Sequence, residues 1–373
     1  MNKISSTFGP MYAPIPMVAG PVTLHPAVIE AMAKDYGSGQ IEPDFLPLYK
    51  DTAGKLARLM DTDDDVVLMS GEGMLALWGA LKSCLKPGDS ILTVGTGVFG
   101  DGMADMAEAM GCKATKVSLP YDSTIGQDDS LQQIEDAIRA SRPVMITAVH
   151  CETPSGTLNP LEKLGEMKKR LGVPLLCVDA VASLGGAPLN AKAWNIDIVM
   201  GGSQKCLSAP PSMSIVSVSP TAWDIMATVG YQGYDAILPF RTIYADGRCP
   251  YTPYWHGVAA LNAAADAILA EGRDAVFARH ETVAAKCREG LARIGVKLFP
   301  RPGAVCAPTV TAAMVPEQYT WAEWRQALRD RGLIVSGSFG PMAGKVFRLG
   351  HMGMQADSAL IANALDAVAD AVG

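Results

Sequence analysis

The sequence predicts an α/β protein built on a mainly parallel sheet with helices on both faces. Two observations carry this. Between residues 65 and 220, short β-prone runs alternate with segments of helical periodicity, and the runs are apolar almost without interruption. A strand with one wet face alternates polar and apolar residues, whereas one apolar throughout must be buried on both faces. Strand–helix alternation in turn supplies the crossovers that parallel neighbours need. A length of 373 residues exceeds one small core and predicts two domains, or one large domain with an appendage.

The elements follow in order. Strands are expected at residues 66–69, 90–94, 144–149, 174–178, 197–200 and 213–218, and helices at 74–84, 103–110, 131–140 and 161–170. Beyond the break at Pro250-Tyr251-Thr252-Pro253, an alanine-rich helix is expected over 256–271, then further helices and short strands at 333–335 and 346–348. We expect an N-terminal segment over 1–20, a large cofactor-binding domain over 21–255 and a smaller C-terminal α+β domain over 256–373, which the first twenty or so residues join in space.

Composition narrows the function. Hydrophobic residues at 49%, charged residues at 18% and a net charge of −7 describe a folded, mildly acidic protein. No Lys/Arg cluster offers a nucleic acid or an anionic membrane a footprint. The eight cysteines are scattered without a C-x-x-C pair, and several lie in apolar runs, as small core residues of a reducing compartment do. The five histidines lack ligand spacing, so no metal is expected. The first residues lack the apolar stretch of a signal peptide, so the expected address is the cytoplasm.

Parallel sheets bind ligands at the carboxyl ends of their strands, and the unusual residues of this chain fall there. Lys205 lies in Gly201-Gly202-Ser203-Gln204-Lys205-Cys206-Leu207-Ser208-Ala209-Pro210-Pro211, and Asp179 ends an apolar run 26 residues upstream. A pyridoxal enzyme needs such a pair: the lysine forms a Schiff base with the cofactor aldehyde, and the acid keeps the pyridine nitrogen protonated. Each residue also has a plainer reading. Lys205 alone would be a surface lysine, and Asp179 a cap for the next element. Gly71-Glu72-Gly73-Met74 is either a phosphate cradle at a helix N-terminus or merely a turn. Phe99 stacks on a flat ring or belongs to the core. Thr153, in His150-Cys151-Glu152-Thr153-Pro154-Ser155-Gly156, hydrogen-bonds a ring hydroxyl or sits in a solvated loop. Arg348, inside an apolar run, holds a substrate carboxylate or a structural salt bridge.

Together these motifs resemble the class V aminotransferases of the fold-type I pyridoxal phosphate superfamily, in particular the alanine–glyoxylate and serine–pyruvate branch. The resemblance runs from Ala19-Gly20-Pro21-Val22 through Thr153-Pro154-Ser155-Gly156-Thr157, Val178-Asp179-Ala180-Val181 and Ser203-Gln204-Lys205 to Arg348-Leu349-Gly350-His351-Met352-Gly353. It implies a seven-stranded sheet and pyridoxal 5'-phosphate as cofactor, with Lys205 and Asp179 catalytic. It further implies Phe99 over the ring, Thr153 near the ring hydroxyl, and Gly71, Glu72, Gly73, Met74, Ser203 and Gln204 around the phosphate. Arg348 and Gly20 fall on the substrate side, and Thr252 in a segment reaching the neighbouring subunit's phosphate, hence a homodimer.

One departure stands out. The family carries a small residue, glycine, then His or Thr in its first phosphate loop, where this chain has Glu72, Gly73 and Met74. A carboxylate facing a phosphate dianion is repelled unless it turns away or is protonated. In this loop, in Glu152-Thr153-Pro154-Ser155-Gly156-Thr157 and in Lys205-Cys206-Leu207-Ser208-Ala209-Pro210-Pro211, the chain also resembles pyridoxamine–pyruvate aminotransferases, which take unphosphorylated vitamin B6 as substrate. They differ in having an arginine in place of Phe339 and Pro-Asn-Lys in place of Ser203-Gln204-Lys205. The expected activity is ping-pong transfer of an amino group from an alanine- or serine-like donor to a glyoxylate- or pyruvate-like acceptor. The alternatives are that B6 activity, a pyridoxal lyase such as a desulfurase, or a non-catalytic binding protein.

Overall fold

The computed structural model describes residues 15–373; residues 1–14 of the segment expected over 1–20 lie outside them. β1 (Ile15–Met17), α1 (Pro26–Met32) and α2 (Phe45–Met60) come first. β2 (Asp65–Ser70), α3 (Gly73–Cys84), β3 (Ser90–Gly95), α4 (Val98–Ala109), β4 (Lys113–Ser118), α5 (Ser130–Ser141) and β5 (Met145–Val149) then alternate. A small hairpin of β6 (Cys151–Glu152) and β7 (Thr157–Leu158) precedes α6 (Glu162–Leu171), β8 (Leu175–Asp179), β9 (Ile198–Gly202) and β10 (Met213–Val218). The chain continues through α7 (Pro220–Val229), α8 (Ile243–Asp246), α9 (Trp255–Glu271) and α10 (Arg273–Ile294). It ends with β11 (Val310–Met314), α11 (Trp321–Asp330), β12 (Leu333–Gly337), β13 (Val346–Gly350) and α12 (Ser358–Val372).

The main sheet has seven strands in the order β2-β10-β9-β8-β5-β3-β4, and only β10 runs against its neighbours. Six of the seven match the expected runs. The seventh, β4, carries no such signal, because Lys-Ala-Thr-Lys-Val-Ser is largely polar and none of its residues is buried. It lies at the sheet edge, where lysines are tolerated and deter further pairing. The interior strands obey the two-face rule: Leu92, Ile146, Leu176 and Val199 enter one core, while Ile91, Met145, Leu175, Cys177 and Ile198 enter the other.

A second sheet, β1-β12-β13-β11, forms apart from the first. β1 joins β12 in parallel, with Ile15 opposite Leu333 and Met17 opposite Val335. Its core holds Trp324, Phe347, Leu349, Cys287 and Ile361, drawn from α10, α11, β13 and α12. The alanine-rich α9 instead packs Val258, Leu261, Ala265 and Ile268 into the larger core with residues of α1 and α2. No helix among the described residues is long and apolar enough to cross a membrane. For the site, the fold's contribution is geometric: β2, β3, β5, β8 and β9 release their loops along one edge, and β13 of the second sheet faces that edge.

Candidate active site

Lys205 sits in the turn after β9 with its side chain turned inward. Its Nζ donates to the carbonyl of Ala19 at 2.5 Å. Gly20 (φ +96) lies directly against it: a Cβ there would stand 2.5 Å from both Cδ and Nζ of the lysine. The residue expected on the substrate side thus serves first as the lysine's floor, and only glycine fits there. Burial, then the neighbouring Arg348 cation, push the Lys205 amine below its ordinary value. The plainer reading as a surface lysine fails.

The lysine opens into a cleft of about 220 Å³ lined by Glu72, Gly73, Met74, Phe99, Thr153 and Asp179, among others. Asp179, the last residue of β8, is buried, and its Oδ1 accepts the Val181 amide at 2.8 Å. It therefore caps the following turn as well as facing the cleft. Burial raises its carboxyl to about 6, opposed by the Val181 amide and Lys205. Cys151 also lines the cleft, but its thiol contacts Thr309 Oγ1 at 3.3 Å and burial pushes it up to about 12. Cys206, next to the lysine, is buried packing that points at the Ala182 carbonyl.

At the other end of the cleft, α3 starts without a side-chain cap, which leaves its first amides to a ligand. Gly73 is required there, since a Cβ would lie 2.8 Å from Val181. Gln204 donates through Nε2 to Glu72 Oε2 at 2.9 Å, while its buried Oε1 has no partner among the described residues. The remaining expected phosphate ligands are already engaged. The Gly71 amide donates to Ser212 O at 2.8 Å. The Ser203 hydroxyl donates to Pro210 O and accepts the Met213 amide at 3.1 Å, so it fastens its own turn. Thr252 lies in a different hollow, with Tyr49, Ser70, Met213 and Tyr251.

Arg348 on β13 is buried. Its Nε donates to Gly337 O at 2.8 Å and its Nη1 to Thr153 Oγ1 at 3.4 Å. Its guanidinium lies 4.8 Å from the Phe339 ring centroid, and that ring meets Phe99 edge-on at 6.3 Å. No carboxylate pairs with it among the described residues; burial lowers it to about 10, with only the distant charge of Glu152 opposing. The reading as a structural salt bridge is therefore overturned. Glu152 is, from the sequence, no more than part of a polar loop, yet the structure puts it fully buried behind Phe99. An acid three residues past the end of the wholly apolar β5, in the two-residue strand Cys151–Glu152, is the signal that could have singled it out.

The same features recur in known proteins. A family model described as aminotransferase class-V matches residues 19–353. The chain belongs to the class-V aminotransferases. It is 36% identical over 298 residues to an alanine–glyoxylate aminotransferase of Callithrix jacchus, covering 78% of this chain and 71% of that one. It is 31% identical to the pyridoxamine–pyruvate transaminase of Mesorhizobium japonicum, covering 96% and 91%. The ureidoglycine–glyoxylate aminotransferase structure from Bacillus subtilis superposes with a TM-score of 0.91 at 26% identity, covering 98% and 94%. Class-V aminotransferases of this fold are pyridoxal 5'-phosphate enzymes, and this chain is one of them. Its residues fit the cofactor: an inward lysine over a glycine floor, a buried acid at a strand end, an aromatic wall and an uncapped helix start.

Proposed function

We propose that the enzyme moves an amino group between a small amino acid and a small 2-oxo acid in a ping-pong cycle. The observation that carries this is Arg348, a buried guanidinium beside the lysine with no protein anion to pair with among the described residues. A substrate carboxylate would complete it through bidentate hydrogen bonds. Alanine–glyoxylate and ureidoglycine–glyoxylate aminotransferases among the relatives support a donor and acceptor of that size.

Bound pyridoxal phosphate supplies an aldehyde that condenses with amines and a ring that accepts the electron pair left when the substrate Cα loses its proton. The chain's residues do the rest. Arg348 fixes the carboxylate and so the direction of the Cα–H bond. Lys205 Nζ, held below its ordinary basicity range by burial, is available to take that proton and return it two atoms along, beyond the intervening nitrogen. Asp179 would hold the protonated ring nitrogen of the bound cofactor, a task that requires its charged form. Phe99 walls one side of the cleft.

Two finer points belong to this reading. Thr252 lies outside its own protomer's Lys205 cleft, which favours a homodimer in which it serves the partner's phosphate. Free cysteines, seven of the eight buried, favour a reducing compartment such as the cytoplasm. A second reading is favoured by Glu72 and Gln204. Together they offer a carboxylate and an unpartnered carbonyl, acceptors that suit a hydroxymethyl donor better than a phosphate dianion. Unphosphorylated vitamin B6 as substrate follows from it. A desulfurase is disfavoured, because burial raises the cleft thiol, Cys151, to about 12.

The test is Lys205→Ala, which removes both the covalent anchor and the base. Turnover should fall at least 10²–10⁴-fold, the range roughly typical for a positioned base, and the absorbance of the lysine-bound pyridoxal should vanish. Retained absorbance together with retained activity would end the assignment.

A further inference from the structure

Glu152 is a fully buried acid to which the chemistry above gives no task. Its two carboxylate oxygens accept different amides from the first turn of α4, Phe99 N at 3.1 Å and Gly100 N at 3.0 Å. The side chain also fills the space beside Gly97, where a Cβ would lie 2.1 Å from Glu152 Cγ. An acid at this point meets the positive end of the helix and satisfies amides that no helical carbonyl reaches. The residue whose amide it grips is the aromatic wall of the cleft, and Thr153, next along the chain, lines the same cleft and touches Arg348. Glu152 therefore ties the start of α4 to the hairpin whose turn carries Thr153.

We propose that Glu152 is a positioning residue: by clamping the first turn of α4, its carboxylate sets the plane in which Phe99 covers the cofactor ring. This rests on the aminotransferase reading and on Phe99 as the ring-covering residue. A glutamine would keep the size but turn one oxygen into an N–H donor facing a backbone N–H, so one of the two grips becomes a repulsion. Three charged groups face the site of the clamp: Asp101 from the same turn, Asp179 from β8 and Arg348 from β13. Burial raises the Glu152 carboxyl to about 7, the two amides pull it down, and Asp179 and Asp101 raise it further. The grip is thus strongest in its ionised form, on the alkaline side of neutrality.

The experiment titrates full-length wild type, Glu152→Gln, Phe99→Leu and the double variant with pyridoxal 5'-phosphate. It follows dissociation constants and the induced circular dichroism of the bound chromophore. Glu152→Gln and Phe99→Leu should each weaken binding by about tenfold, the worth of one good aromatic contact, and each should diminish the dichroism. The double variant should bind no more weakly than Phe99→Leu alone, because the two act through one ring. Wild-type affinity and dichroism in Glu152→Gln, or losses that multiply in the double variant, would overturn the proposal. Should Glu152→Gln not fold, Gly97→Ala takes its place: it keeps the charge but drives the carboxylate aside, and the same losses are expected of it. A wild-type protein that took up no pyridoxal phosphate would sink the site reading itself, whereas normal uptake by both clamp variants sinks only this inference.

Discussion

Burying a guanidinium without an anion is costly, and the cost is recovered only when a ligand brings one. Arg348 is held in that state by the Gly337 carbonyl and the Phe339 ring, with Thr153 at its edge. Arg348→Gln should therefore raise the KM for the 2-oxo acid by roughly 30-fold or more, the equivalent of about 2–5 kcal/mol, while changing kcat less. Steady-state kinetics with glyoxylate and pyruvate check this, and an unchanged KM would remove Arg348 from the carboxylate site. Arg348 and Lys205 are legible in the sequence because each breaks a local rule: a cation in an apolar run, and a lysine in a glycine turn. Ser203 is less legible. Its role as a fastener of its own turn depends on Pro210 and Met213 folding back toward it, and no local pattern encodes that return.

At the scale of elements, the proposed function makes the start of α3 the place that decides what the cleft accepts. Its uncapped amides draw an anion, while Glu72, the residue at its N-cap, brings a carboxylate to the same end. Removing that charge should favour phosphate. Glu72→Ala is predicted to tighten pyridoxal 5'-phosphate relative to pyridoxal by about tenfold, from the repulsion of two charges several ångströms apart. Parallel titrations with the two compounds measure the ratio, and an unchanged ratio would mean that Glu72 already turns from the ligand. A purely structural element offers a control. Thr320 and Glu323 form a capping box at the start of α11, remote from the cleft. Thr320→Ala should cost about 1 kcal/mol of stability and leave kinetics untouched. Most strands and helices can be read ahead because apolar period and turn residues agree. The edge strand β4 cannot, since exposure removes the hydrophobic signal on which such reading depends.

For the whole molecule, buried titratable groups set opposing pH dependences. His150 and His280 are lowered to about 4 and His351 to about 3, chiefly by burial. Two of them are neutral rings with both nitrogens engaged: His280 between Val276 O and the Gly353 amide, His351 between Pro308 O and Thr311 Oγ1. The unfolded chain binds these protons more tightly below an ordinary imidazole value of about 6.5, so stability is lost as pH falls from there toward 4. Asp179 and Glu152, raised to about 6 and about 7, act oppositely. The folded state holds their protons longer, so their contribution falls as pH rises from about 4 to 7. The cofactor-free protein should therefore gain stability between pH 4 and 6, and Asp179→Asn should make that gain steeper by removing one opposing group. Thermal unfolding across this range checks both slopes, and an unchanged slope in the variant would contradict the buried, proton-holding Asp179.

In the function we propose, the fold serves to present Lys205 to a pyridoxal aldehyde beside Asp179 and Arg348. Incubating the protein with pyridoxal 5'-phosphate, reducing with borohydride and mapping the peptides by mass spectrometry examines that directly. A single pyridoxyl modification is predicted, on the peptide carrying Lys205 and absent from Lys205→Ala. Modification of another lysine, or no stable modification at all, would contradict it.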